Sequence, residues 1–262
     1  IMAVMEEKMK ELKRCIAQVA FERQEGHIPS AYSILDILYV LYHDVMDIDP
    51  CQPEKKIRDR LIVSKGHASL GLYTILADRG YFPMEEVSTF GQLNSRLGGH
   101  PDYHKVPGVE ASTGSLGHGL PLAVGIAMGL NFKGSRERVY VIVGDGEMNE
   151  GTNWEAIMVA KEQGLSNLVC IVDYNHSSDR AVDFGNMETK FNAFGWETYS
   201  VDGHNHAELK DTLTRTNDMK RPIAIIANTI KGYGCKMIEN HPAWHHRSPN
   251  LEELLQMMEE LA

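Results

Sequence analysis

Apolar residues recur at intervals of four and three along the opening segment, at Met5, Met9, Leu12, Ile16 and Val19. That spacing lines one face of an α-helix, so the pattern predicts an amphipathic helix packed on a core. A second helical pattern runs over residues 33–43. Short β-rich runs then alternate with further helical patterns. Strands are predicted at 60–64 (RLIVS), 138–143 (RVYVIV), 168–173 (LVCIVD) and 222–228 (PIAIIAN). Helices are predicted at 70–79 and 153–163, the latter stopped by Gly164. Strands that are apolar on both faces and alternate with helices indicate an α/β fold, a parallel sheet with helices on both faces. The tail LEELLQMMEELA reads as a short helix with Leu251, Leu254, Leu255 and Met258 on one side.

Composition narrows the partners. Apolar residues make up 43% of the 262 and charged residues 24%, so a core can be buried. No run approaches 18 apolar residues, and the charged N-terminal segment lacks a signal-peptide core, which argues against a membrane. The net charge is -10 and basic residues are scattered, so no face is built to neutralise phosphates in nucleic acid. Cys15, Cys51, Cys170 and Cys235 form no C-x-x-C pair, which suggests neither a zinc ribbon nor a disulfide scaffold. A cytoplasmic location is the expectation. Twelve histidines, several beside glycines, give the first sign of chemistry.

Glycine-rich segments at 98–119, 144–151 and 232–234 fall between the elements, where ligands gather in parallel α/β sheets. Gly144-Asp145-Gly146-Glu147 follows the strand VYVIV, and Asn175 follows LVCIVDY. One helical pattern separates them, so a right-handed crossover makes the two strands parallel. Neighbouring strands lie about 5 Å apart, close enough for Asp145 and Asn175 to share one cation. Mg²⁺ takes one or two protein oxygens together with phosphate oxygens and water. A carboxylate, an amide oxygen and the carbonyl of Ser177 meet that need; Ca²⁺ or Mn²⁺ would serve similarly. Gly146 lets backbone approach a phosphate, and the next helix aims its N-terminus the same way. Taken alone, G-D-G is also a common turn; the spacing to Asn175 is what carries the metal reading. No G-x-G-x-x-G, G-x-x-x-x-G-K-[ST] or G-x-S-x-G is present.

The segment from GDGEMNEG to IVDYN resembles the thiamine diphosphate signature. KGH at 65–67, GGHPD at 98–102, STGSLGHGL at 112–120 and AWHH at 243–246 resemble transketolase, in that family's order and over nearly the whole chain. The resemblance implies a thiamine diphosphate-binding fold, with residues 1–262 as a single diphosphate-binding domain carrying an N-terminal helical lead-in and a C-terminal helix. It implies Asp145, Asn175 and Ser177 as metal ligands. Gly114, Ser115, Leu116, Gly146 and Glu147, with His67, are implied as cofactor contacts. His27, His67, His100, His245 and Lys231 match groups around the reactive carbon and the substrate. Glu150 and Glu155 match glutamates near a subunit interface. Each histidine taken singly has a structural reading too; His204 and His206 are read as surface-loop residues, and His246 doubles His245. The stretch His176-Ser177-Ser178-Asp179-Arg180 departs from the family pattern.

The family's pyrimidine-binding and C-terminal domains have no counterpart here. The resemblance therefore implies the N-terminal subunit of a split transketolase, active in an α₂β₂ heterotetramer with a C-terminal partner subunit. The implied reaction moves a two-carbon ketol group from a ketose to an aldose, on sugar or sugar-phosphate substrates such as those of the pentose phosphate interconversions. Two alternatives stand beside it. One is a subunit of another thiamine diphosphate enzyme, of the 2-oxo acid dehydrogenase or deoxyxylulose-phosphate synthase kind. The other is a non-catalytic regulatory subunit that keeps the fold.

Overall fold

The computed structural model describes residues 2–178, 182, 185–215 and 220–262, so Asp179 and Arg180 lie outside it. The opening periodicity forms α1 (Met2–Arg23), which buries Met9, Leu12, Ile16 and Val19. α2 (Ile28–Val40) starts earlier than the hydrophobic pattern suggests, because Pro29 sits in its first turn, where a missing N–H costs nothing. The apolar runs form β1 (Arg60–Val63), β2 (Val139–Gly144), β3 (Leu168–Tyr174) and β5 (Ile223–Asn228), with an edge strand β4 (Glu197–Asp202) that the pattern does not reveal. All four pairings are parallel, in the order β1-β2-β3-β5-β4.

Side-chain alternation along these strands divides the core in two. Tyr140, Ile142, Val169, Ile171, Ile223 and Ile225 face the layer of α1, α2, α3 (Ser69–Arg79), α7 (His206–Arg215) and α8 (Leu251–Glu260). Val139, Val141, Val143, Leu168, Cys170 and Val172 face α4 (Gly119–Phe132), α5 (Gly151–Glu162) and α6 (Met187–Ala193). The expected sheet covered on both faces is therefore what the chain forms. α5 ends as its sequence predicts, with Gly164 in the left-handed region (φ 59°) and Leu165 N–H donating to Ala160 O.

Two expectations need correction. α8 does not bury Leu251 and Leu255, which are 59% and 61% exposed; it packs through Leu254, Met257 and Leu261 in the cluster that holds α1. Its Asn250–Glu253 capping box fixes where the helix starts and so which face turns inward. His204 is not a surface residue, since its side chain is 5% exposed and paired with buried Asp36, while His206 opens α7 and pairs with the same carboxylate. No helix among the described residues is long and apolar enough to cross a membrane.

Candidate active site

β2 and β3 are hydrogen-bonded neighbours, with Gly144 in register with Asp173. Asp145 and Asn175 therefore emerge side by side at the carboxyl ends. Ser177 links them: its N–H donates to Asn175 Oδ1 (3.1 Å) and its hydroxyl to Asp145 Oδ1 (3.2 Å). Gly146 N–H also donates to Asp145 Oδ1 (2.7 Å), whereas Asp145 Oδ2 is buried and has no hydrogen-bond partner. Burial, then the charge of Asp173, pushes the Asp145 carboxyl up. A buried carboxylate oxygen without a donor is costly, and a cation at that point would remove the cost. Among the described residues no group of three His, Cys, Asp or Glu side chains is arranged around a metal. The oxygen set here is of a different kind, one carboxylate with one amide, which suits a hard ion that keeps phosphate and water ligands.

Beneath this pair lies a network that motif spacing does not disclose. Asp173, fully buried, accepts from Lys65 Nζ, from Ser33 Oγ (2.8 Å), from Thr229 Oγ1 and from Asn175 Nδ2 (2.9 Å). The last bond decides which way the Asn175 amide faces, leaving Oδ1 beside Ser177. Burial works to raise the Asp173 pKa, but Lys65 and the hydroxyl donors outweigh it and keep the group ionised. A lone aspartate in an otherwise apolar strand, and a lysine directly after another strand, were the available signals.

A cavity of about 660 Å³ opens above, lined by Gly146, Asn175, Ser177, Lys231 and His245 among others. Lys231 Nζ is 2.8 Å from His245 Nδ1. The imidazoles gather at its rim, with ring centroids 5.0 Å apart for His27 and His67, 5.7 Å for His27 and His245, and 6.2 Å for His67 and His245. His246 stacks on His27 at 4.3 Å. His100 lies against Gly114, where a Cβ would come within 2.8 Å of its ring. Ser115 is exposed and Leu116 half-buried on the same loop, which Thr113 fastens to Val63 O (2.7 Å).

Crowding of cations in a partly dry site sets the protonation. Burial, followed by the charges of His246, His245, His100 and Lys231, pushes His27 down to about 4. Burial, followed by Lys65, pushes His67 down to about 2. His245 is lowered by burial and then by Lys231, and Lys231 falls to about 8 through burial and then Lys65. The result is a set of neutral imidazoles, each offering one lone pair and one N–H to a substrate, beside lysines that can receive a polyanion.

The three predicted glutamates take other places. Glu147 is buried below it, where its carboxylate accepts from Ser64 Oγ, Gly117 N–H (2.9 Å) and Gly144 N–H (3.0 Å). It ties the 114–117 loop to the end of β2. Glu150 stands at the N-cap position of α5 without a side-chain capping bond, and it and Glu155 on that helix are both exposed.

A family model for the thiamine diphosphate binding domain of transketolase matches residues 5–261. The chain belongs to the transketolase family. As a transketolase domain it is 39% identical, over 98% of its length and 95% of the relative's, to one subunit of the apulose-4-phosphate transketolase of Actinobacillus succinogenes. It is 37% identical, over 84% and 82%, to one subunit of the 6-deoxy-6-sulfo-D-fructose transketolase of Clostridium sp.. Mouse transketolase is 40% identical over 84% of the chain but is matched over only 36% of its own length. The solved transketolase of Campylobacter jejuni superposes with a TM-score of 0.89 at 30% identity, covering 99% of this chain and 43% of that one. The transketolase domain thus spans about two fifths of that solved chain, and nearly all of relatives that are themselves subunits.

Proposed function

We propose that this chain is the cofactor-binding subunit of a two-chain transketolase, moving a ketol unit from a ketose to an aldose. The observation that carries this is Asp145, whose Oδ2 is buried without a donor and whose Oδ1 is joined through Ser177 to Asn175, beneath a lysine- and histidine-lined cavity. Asp145, the Asn175 amide oxygen and the Ser177 carbonyl would hold a divalent cation, Mg²⁺ foremost, and through it a diphosphate. When bound, thiamine diphosphate supplies the electron sink that lets a carbon–carbon bond beside a ketone break and re-form.

The chain's own residues supply the rest. Gly114, Ser115 and Leu116 offer a loop for the cofactor's length, and Gly146 lets backbone approach its phosphates. Burial and neighbouring positive charge keep His27, His67 and His245 neutral, and these three rings with His100 are the groups that would take a proton from, or return one to, a sugar hydroxyl or carbonyl oxygen. Lys231 fixes the His245 ring and adds positive charge where oxyanion character develops. The histidine set favours polyhydroxylated ketoses over 2-oxo acids, which offer few hydroxyls to recognise.

The partner requirement is supported by the surface. Leu122, Gly125, Gly129 and Phe132 form one stripe of α4, and Met158 and Val159 stand beside Glu155 on α5. Leu122, Phe132, Met158 and Val159 are 44–83% exposed, an apolar flank that a second chain would cover. Residues 1–262 form the diphosphate-binding unit, and the pyrimidine-binding and C-terminal domains belong to the partner, in an α₂β₂ assembly within the cytoplasm. The test is ketol transfer by this chain with and without a polypeptide carrying those two domains. Full-rate transfer by the chain alone, or none by the pair with Mg²⁺ and thiamine diphosphate, would overturn the reading.

A further inference from the structure

Lys231 sits on the loop that follows β5, and that loop is fastened at points on both sides of the lysine. Thr229 Oγ1 donates to Asp173, and Gly232 N–H to Pro29 O (3.1 Å). Backbone bonds also run from Thr229 N–H to Tyr174 O (3.1 Å) and from Asn240 N–H to Lys231 O (2.8 Å), and two further fastenings pass through a single ring. Ile230 N–H donates to His204 Nε2 (2.9 Å), and Tyr233 stacks on the same imidazole with centroids 3.6 Å apart and planes 15° from parallel.

These bonds fix the proton on His204. Nε2 receives an N–H, so it carries no hydrogen, and Nδ1–H must be the donor to Asp36 Oδ2 at 2.9 Å. Asp36 also accepts from His206 Nε2 (2.7 Å), so both carboxylate oxygens are engaged. Asp36 is 3% exposed and stands on α2, one helical turn from Ser33, which is bonded to Asp173. A rigid helix thus reaches the Lys231 loop through a histidine held in one tautomer. This is the logic by which a carboxylate orients an imidazole in a hydrolase triad, with a backbone N–H in place of a nucleophile.

We infer that Asp36 and His204 are positioning residues, a buried latch that sets the backbone at 230–233 and thereby places the Lys231 ammonium on His245. Neither residue lines the cofactor cavity. Their importance for turnover rests on the role proposed for Lys231; their hold on the loop does not.

The test uses the full chain in the absence of cofactor. The ring ¹H and ¹⁵N shifts of His245 report whether Lys231 remains in contact, and K231M gives the spectrum of a broken contact. H204F keeps the ring volume and the Tyr233 stack but removes both hydrogen bonds; D36A removes the acceptor. Both should shift His245 toward the K231M spectrum. D36N should restore the native spectrum, because its amide oxygen still accepts Nδ1–H while its NH₂ meets a His206 ring that exchanges tautomer. A folded H204F or D36A with an unchanged His245 overturns the inference, as does loss of the fold in both. In the assembled enzyme the same two variants should lose roughly ten- to a hundredfold in kcat/KM, as for a reacting group displaced by about 1 Å. If the wild-type pair shows no ketol transfer, the proposed function fails while the His245 comparison still decides the latch.

Discussion

Asp145 works against the stability of the free chain and for the proposed ligand. Replacing it with Asn removes a buried charge and keeps the shape. D145N should therefore raise the stability of the metal-free chain by roughly 1 kcal/mol in urea unfolding, because it relieves a desolvated charge repelled by Asp173. The same variant should abolish the Mg²⁺-dependent heat of thiamine diphosphate binding. Opposite signs in the two measurements are the expected signature; a destabilised variant that binds normally would contradict it. His67 gives a pH dependence. Its folded pKa of about 2 lies far below the ordinary 6.5, so the unfolded chain takes up the proton first as pH falls. This contribution is fully present above about pH 6.5 and declines below it, by up to about 1.4 kcal/mol per pH unit for one proton. The melting temperature should fall between pH 7 and pH 5, and less steeply in H67F. At this scale the sequence shows the actors better than their supports. Asp145, Asn175 and the histidines stand in recognisable spacings, whereas Asp36 pairs with histidines 168 and 170 residues away and Lys65 with Asp173 108 residues away, which no local pattern encodes.

The elements answer to a different test. Leu254 is 4% exposed and Leu255 61%, though both are leucines on the same short helix. L254A should cost about 2–5 kcal/mol in urea unfolding through the cavity it leaves against α1. L255A should stay within about 0.5 kcal/mol. Equal effects would mean that α8 docks differently. Four of the five described strands can be read from their apolar runs because a strand buried on both faces needs little else. β4 escapes because it is an edge: Glu197, Thr198, Tyr199 and Ser200 are none of them fully buried, so no apolar run forms. α4 escapes for another reason. Its glycines and Pro121 read as loop, yet they lie on a helix whose Gly125 and Gly129 face open space. His204 was hidden between Gly203 and Asn205, a polar context that tertiary pairing with Asp36 overrides.

For the whole molecule, the α4–α5 flank is the feature that a second chain would answer. M158E places a charge on the α5 side of this apolar flank, at a side chain that is 50% exposed. The free chain should melt as before, within about 0.5 kcal/mol. Association with the proposed partner, a polypeptide bearing pyrimidine-binding and C-terminal domains, should weaken at least about tenfold in analytical ultracentrifugation, since a charge would be buried unpaired. Unchanged association would place the contact elsewhere. The relatives named as transketolase subunits are matched over nearly their whole length, and the solved Campylobacter jejuni chain over 43%. The fold and the thiamine diphosphate-binding family are thus contained in this chain's pattern.

One carboxylate, Asp173, is the meeting point of β3, α2 through Ser33, the end of β1 through Lys65 and the end of β5 through Thr229. The Asn175 amide, a proposed metal ligand, hangs from the same atom as two of those ties. The pocket consequently has no melting event of its own: loosening any one seam frees the others in the same step. On heating, a spectroscopic probe at the cavity and a probe of the strands should report one superimposable transition.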